Sequence, residues 1–157
     1  MNTNLDKAEK EYMKAIELYN NYGQALYNLA AVYDRKGELP QAIRQFERLR
    51  STNPNDPSIP FQLGLLYYRN NQKDMAFSAW EQAVLLFPDY SNVRWYLSLI
   101  YEERNDLKHA LAEVEAIQKL NPDNDLVEKR IEDLKNGIRQ IVPPEDVLDK
   151  SPLNNEQ

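Results

Sequence analysis

The sequence lacks cysteine altogether and holds only four glycines in 157 residues. Without cysteine there is no disulfide, no cysteine-based metal site and no thiol nucleophile. The few glycines form no glycine-rich segment of the kind that binds phosphate groups. The single histidine, His109, lies beside Lys108, and we interpret it as a surface residue rather than a metal ligand or a catalytic base. We therefore expect no metal and no cofactor.

Basic side chains are outnumbered by acidic ones. The chain carries 19 lysines and arginines against 25 aspartates and glutamates, which gives a formal net charge of −6. Because basic side chains supply much of the affinity for phosphate backbones, nucleic acid is not an expected partner. The acidic residues alternate with basic ones at helical spacing, as in "YEERND" and "VEKRIEDLK", which is typical of solvent-facing helix surfaces. They form no constellation for acid–base or nucleophilic chemistry, so we expect that the chain is not an enzyme.

Long apolar runs are also missing. No stretch approaches the length needed to cross a membrane. The first ten residues, "MNTNLDKAEK", are polar and lack the apolar segment of a signal peptide. The sequence therefore predicts a soluble chain without direct membrane insertion. It does not identify the compartment, and a cytoplasmic location is the expectation for the chain as given.

The sequence does contain a repeat. Three similar stretches, "YNLAAVY", "FQLGLLY" and "WYLSLIY", begin at residues 27, 61 and 95, a constant spacing of 34 residues. A fixed period of this length indicates one supersecondary unit per period. Alanine, tyrosine and proline recur with the same spacing, at Ala8, Ala42, Ala76 and Ala110, at Tyr33, Tyr67 and Tyr101, and at Pro54, Pro88 and Pro122.

Each period is expected to fold as a hairpin of two helices. The apolar spacing in "ALYNLAAVYDRKG" is helical, and Gly37, Asn71 and Asn105 follow at equivalent places where a left-handed residue ends a helix. The recurring alanines, and the small residues at positions 30, 64 and 98, permit a close crossing of the two helices. The prolines end one unit and begin the next, because proline does not continue a helix interior.

These recurring positions resemble the tetratricopeptide repeat family, whose pattern is a large residue, Leu-Gly, Tyr, Ala, an aromatic residue, Ala and Pro across 34 residues. The resemblance implies an all-α fold, a right-handed superhelical solenoid of antiparallel helix hairpins. It places full repeats at 23–56, 57–90 and 91–124. The departures are mild, since the first large residue is displaced by one place in the second and third units.

Both ends differ from the repeats. Residues 1–22 fit only the second half of a unit and predict a lone second helix, which is either a natural N-terminal cap or the end of a longer protein. Residues 125–138 predict a capping helix, polar at Glu132 and Lys135 where another hairpin would pack. Residues 139–157 lose the periodicity and predict a disordered or extended tail. The apolar face of the capping helix is expected to contain Leu126 or Val127, Ile131, Leu134 and Ile138.

The resemblance also implies where a ligand binds. First helices of such hairpins line a concave groove, into which the first aromatic residue and the residues four, seven and eight positions later should point. We expect the apolar members to be only partly buried and the charged members to form the rim; the alternative is that the aromatic residues are simply core. The groove residues are Tyr27, Ala31, Asp34, Arg35, Phe61, Leu65, Tyr68, Arg69, Trp95, Leu99, Glu102 and Glu103.

The resemblance and the apolar groove together predict a non-catalytic module that binds a peptide or a partner protein. The alternative is a structural or assembly module, which forms a homo-oligomer or is the C-terminal soluble part of a longer bacterial protein; some membrane-bound polysaccharide polymerases and ligases are loosely similar. A contact between the tail and the groove is a further hypothesis. Some relatives grip the C-terminal carboxylate of heat-shock chaperones, a ligand that is disfavoured here because the corresponding residues are not basic. They are Tyr27, Ala31, Gln62, Asn92 and Tyr96.

Overall fold

A computed structural model describes residues 3–19 and 22–139. Eight α-helices and no strand occur in these two ranges, which confirms the all-α prediction. Apart from Arg139, the tail expected at 139–157 lies outside the described residues, and so does any contact that it makes with the groove. The helices are α1 (Thr3–Leu18), α2 (Gly23–Arg35), α3 (Leu39–Thr52), α4 (Ser58–Arg69), α5 (Lys73–Leu86), α6 (Ser91–Glu103), α7 (Leu107–Leu120) and α8 (Asp125–Lys135).

Helix lengths follow the period of the sequence. The first helices of the repeats, α2, α4 and α6, have 13, 12 and 13 residues, and the second helices, α3, α5 and α7, have 14 residues each. Helix α2 packs against α3, and α6 packs against α7, so both pairs form hairpins. The chain divides into two compact units, Met1–Ala76 (unit 1) and Phe77–Gln157 (unit 2), with the division inside α5.

Every first helix ends in the same turn. Gly37, Asn71 and Asn105 adopt positive φ angles of 75°, 58° and 60°. In each case the N–H group of the next residue donates to the carbonyl oxygen of the recurring tyrosine, at 2.8 Å. This hydrogen bond uses a carbonyl that a helix end would otherwise leave unpaired. The predicted turn residues are therefore confirmed, because glycine and asparagine accept the left-handed conformation at low cost.

Helix α8 ends with this turn as well, but two residues early. Gly137 has a φ of 73°, and the Ile138 N–H donates to the Asp133 carbonyl oxygen at 2.8 Å. A strict period would place the turn residue at 139. The capping helix accordingly ends at Lys135 rather than at residue 138, and Ile138, expected on its apolar face, is exposed because it lies beyond the helix.

The core of unit 1 forms where α2 crosses α3. Ala30 and Ala42, two of the small recurring residues, are fully buried, and Leu26 and Leu29 of α2 are buried as well. Phe46 contributes the large apolar side chain from α3. Small residues at the crossing let the two helices approach closely, as the repeat pattern predicted.

Aromatic side chains make contacts in and beside the core of unit 2. The Trp80 side chain is 0% exposed, and its ring stacks on Tyr96 with centroids 5.0 Å apart. Phe77 meets Tyr101 edge to face at 5.3 Å, and the Arg104 guanidinium lies 4.2 Å from the centre of the Phe77 ring. Such ring pairs add to the free energy gained by burying the aromatic area itself.

The helices at the two ends are attached differently. At the N-terminal end, the Lys36 ammonium donates to the carboxylates of Asp6 and Glu9 on α1, at 2.9 and 2.6 Å. At the C-terminal end, α8 packs against α7 and buries Val127, Ile131 and Leu134. Leu126 is exposed, so the apolar face of α8 contains Val127 and not Leu126.

Candidate functional site

One face of α2 carries an apolar ring and a basic side chain. Tyr27, Ala31 and Arg35 are spaced by four residues and form a stripe that turns by about 40° around the helix at each step. The Tyr27 ring contacts Phe46 edge to face, with centroids 5.4 Å apart, yet Tyr27 remains 41% exposed. The ring is thus held in place by the core and presented to solvent.

The corresponding face of α4 lies beside it. Phe61 and Leu65 are half-buried, the degree of burial expected for a binding surface. The Arg69 guanidinium, one turn after Leu65, forms an ion pair with the Asp34 carboxylate of α2. This contact joins the two helices along the predicted stripes. We call the surface of Tyr27, Ala31, Asp34, Arg35, Phe61, Leu65 and Arg69 the α2–α4 face.

The charges on this face do not balance. Arg69 and Asp34 neutralise each other, because their ion pair brings one positive and one negative group together. Arg35 is exposed and has no ion-pair or hydrogen-bond partner among the described residues. The α2–α4 face therefore presents a surplus positive charge two helical turns from the Tyr27 ring.

Tyr68 does not belong to this surface. Its side chain is buried, and the Lys73 ammonium lies 5.4 Å from the centre of its ring. Its assignment to the accessible groove is therefore wrong. The position seven residues after the first aromatic residue turns into the core on α4, whereas Asp34, at the same position of α2, stays half-exposed.

In unit 2, the side chains predicted for the groove are largely inaccessible. Trp95 is 9% exposed and Leu99 is 6% exposed, so the expectation that they are partly buried is wrong. Glu102, which lies on the same stripe of α6 as Trp95 and Leu99, pairs with Arg130 of α8, so a neighbouring helix covers this part of α6.

Glu102 is also buried and is not a rim charge. Its carboxylate forms an ion pair with the Arg130 guanidinium of α8, and both residues are 2% exposed. Burial lowers the pKa of Arg130 from its usual value, and the carboxylate of Asp133 opposes that shift. Of the four residues predicted on α6, only Glu103 is exposed.

Sequence reasoning missed Arg130. The residue stands between Val127 and Leu134, so its spacing places a charged side chain within the apolar stripe of α8. Charged residues are rarely buried unless they are paired. The position of Arg130 in the apolar stripe therefore indicated that an acidic residue is buried opposite it.

His109 is exposed, as predicted, but it is not isolated. Its Nδ1 atom lies 2.6 Å from Oδ2 of Asp106, and its ring stacks on Tyr101 with centroids 5.2 Å apart. Asp106 also accepts a hydrogen bond from the His109 N–H and so caps the start of α7. Among the described residues, no group of three or more histidines, aspartates and glutamates is placed to hold a metal ion. No helix within residues 3–19 and 22–139 has the length and apolar character to cross a membrane.

Known proteins show what the repeat is. A family model described as tetratricopeptide repeat matches residues 11–44, and a second model with the same description matches residues 61–125. No curated protein matches the chain in sequence. The two models together cover more than half of the chain, and the second runs from Phe61 in α4 to Asp125 at the start of α8.

Solved structures share the fold at low sequence identity. MamA superposes with a TM-score of 0.74 at 20% identity, covering 85% of this chain and 78% of that protein. YrrB, described as a TPR protein with an unusual peptide-binding site, superposes with a TM-score of 0.70 at 20% identity, covering 96% and 80%. The first TPR of Spaghetti (RPAP3), bound to the HSP90 peptide SRMEEVD, superposes with a TM-score of 0.63 at 19% identity, covering 73% and 90%. The chain belongs to the tetratricopeptide repeat family.

Proposed function

We propose that this protein is an interaction module that binds a peptide segment of another protein on the α2–α4 face. Tyr27 carries the proposal, because a large aromatic side chain anchored on the core and 41% exposed is a typical binding hot spot. The half-buried Phe61 and Leu65 extend the apolar surface on the neighbouring helix.

The chemistry of the face suits protein recognition. Interfaces are enriched in aromatic residues and arginine at their centres and carry a polar rim. Here the apolar centre is bordered by the Asp34–Arg69 ion pair and by Arg35. YrrB and the Spaghetti domain supply a precedent in the same fold, since their descriptions name a peptide-binding site and a bound peptide.

The test is a selection of random peptides on the protein, followed by binding assays with purified variants. The Tyr27→Ala substitution removes the proposed hot spot. It should weaken binding of the selected peptides at least tenfold, which corresponds to about 1.4 kcal/mol of binding free energy. Phe87→Ala is the matched control, since Phe87 is 47% exposed but lies in unit 2, outside the α2–α4 face. The Phe87→Ala variant should bind the selected peptides with the same affinity as the wild type.

Two results contradict the proposal. In one, the selected peptides bind Tyr27→Ala as tightly as the wild type. In the other, the selection yields no peptide and the protein instead forms stable homo-oligomers in sedimentation experiments. The second result would favour the alternative of an assembly module.

A further inference from the structure

We propose that the ligand of the α2–α4 face is an extended peptide that carries an aromatic or aliphatic side chain and an acidic side chain four positions away. This inference rests on the proposed function and specifies the chemistry of the partner. Its basis is the charge left over on the face and the distance between that charge and the exposed ring.

The leftover charge is positive. Asp34, the only acidic residue of the face, already pairs with Arg69, while Arg35 is exposed without a partner among the described residues. A basic side chain of the ligand would be repelled by Arg35 at this place. A neutral side chain would leave the Arg35 guanidinium solvated and without an ion-pair partner. A carboxylate would complete the pairing and shorten the time needed for encounter.

The spacing follows from helix geometry. Tyr27 and Arg35 are eight residues apart on α2, a separation of about 12 Å along the helix axis at 1.5 Å per residue. An extended peptide advances about 3.3 Å per residue and covers that distance in about four residues. Side chains of an extended chain alternate in direction, so residues four positions apart point to the same side. One side chain therefore reaches the apolar centre while the other reaches Arg35.

The acidic group is a side chain and not a chain terminus. The residues at the carboxylate-clamp positions of unit 1 are Tyr27, Ala31 and Gln62, none of which is positively charged. The positive charge lies two turns further along α2, at Arg35, on the exposed end of the helix. A peptide that passes over this end needs no free carboxyl group to meet the arginine.

The experiment uses synthetic peptides acetylated at the N-terminus and amidated at the C-terminus. Each contains one phenylalanine and one glutamate in a glycine–serine background, with a separation of two, four or six positions, and a matched set carries glutamine or lysine in place of glutamate. Binding to the isotope-labelled full chain is followed by amide chemical shifts. The four-position glutamate peptide should bind more tightly than its glutamine counterpart by up to about fivefold, the upper limit of the usual range for an exposed ion pair.

Charge reversal supplies the decisive comparison. Arg35→Glu should prefer the lysine peptide over the glutamate peptide, whereas Arg44→Glu, an exposed residue on α3 outside the face, should keep the wild-type preference. The inference is overturned when the glutamate, glutamine and lysine peptides bind equally, when spacing has no effect, when none of them binds, or when Arg35→Glu retains the preference for glutamate. The proposed function is decided separately, by whether peptides selected at random depend on Tyr27.

Discussion

The Arg130 guanidinium on α8 and the Glu102 carboxylate on α6 form an ion pair from which solvent is almost wholly excluded. The pair attaches the capping helix to the last repeat by charge as well as by apolar packing. Two further nitrogen atoms of Arg130, Nε and Nη1, have no hydrogen-bond partner among the described residues. The pair is therefore costly to bury and still more costly to break, because either partner alone would be a charge in low-dielectric surroundings.

We expect Arg130→Met to lower the free energy of unfolding by about 3–5 kcal/mol, since the variant removes the buried charge opposite Glu102. Urea unfolding followed by circular dichroism measures the loss. The double variant Glu102→Leu with Arg130→Met removes both charges and should recover most of the lost stability. A single variant as stable as the wild type would show that the two groups do not depend on each other.

Tyr67, one of the recurring tyrosines, predicts that the protein loses stability at alkaline pH. The Tyr67 hydroxyl donates to the Glu47 carboxylate, and burial together with this bond raises the pKa of Tyr67 above its usual 10.0. The folded state holds the proton more tightly than the unfolded chain, so this contribution is fully present below pH 10 and is lost as the pH rises further.

The free energy of unfolding should consequently fall more steeply above about pH 10 in the wild type than in Tyr67→Phe. Urea midpoints collected from pH 8 upward provide the comparison. Tyr19→Phe is the control, because Tyr19 is exposed and its loss removes a phenol without removing a buried bond. Equal pH profiles for the wild type and Tyr67→Phe would be evidence against the pairing with Glu47.

The left-handed turn after α2 can be tested in isolation. A Cβ atom at Gly37 would meet no atom within 4 Å, so Gly37→Ala adds no clash and should cost about 1–2 kcal/mol from its positive φ alone. Gly23→Ala is the matched variant, because Gly23 is the first residue of α2 and its added Cβ would make only an ordinary contact with Leu49 at 3.6 Å. That variant should be neutral or slightly stabilising. Equal losses in the two variants would contradict the conformational explanation.

Helix positions could be predicted from the sequence because several independent signals agree in each period. Asn71 and Asn105 mark the turns, since few residue types accept a positive φ. The alanines mark the crossings, since only a small side chain fits there. Helix α8 ends two residues earlier than the 34-residue period predicts, and only Gly137 indicated this earlier end.

The candidate site was harder to predict. Periodicity shows which residues share a helix face, but it does not show whether another element covers that face. Tyr27 and Arg35 remain accessible on α2, whereas Trp95 and Leu99, at equivalent positions of α6, are buried. The buried Glu102–Arg130 pair shows that α8 reaches the same stripe of α6, and the repeat pattern does not reveal this contact.

Burial of Trp95 changes what its truncation should do. Trp95 is 9% exposed and Trp80 is 0% exposed, so Trp95→Ala and Trp80→Ala should each lower the free energy of unfolding by about 3–5 kcal/mol. Tyr27→Ala removes a ring that is 41% exposed and should cost about 1 kcal/mol or less. Helical circular dichroism is the appropriate signal, since two of the variants lose a tryptophan. If Trp95→Ala loses as little stability as Tyr27→Ala, and much less than Trp80→Ala, then Trp95 is not a core residue. In that case α6 would contribute to the binding surface.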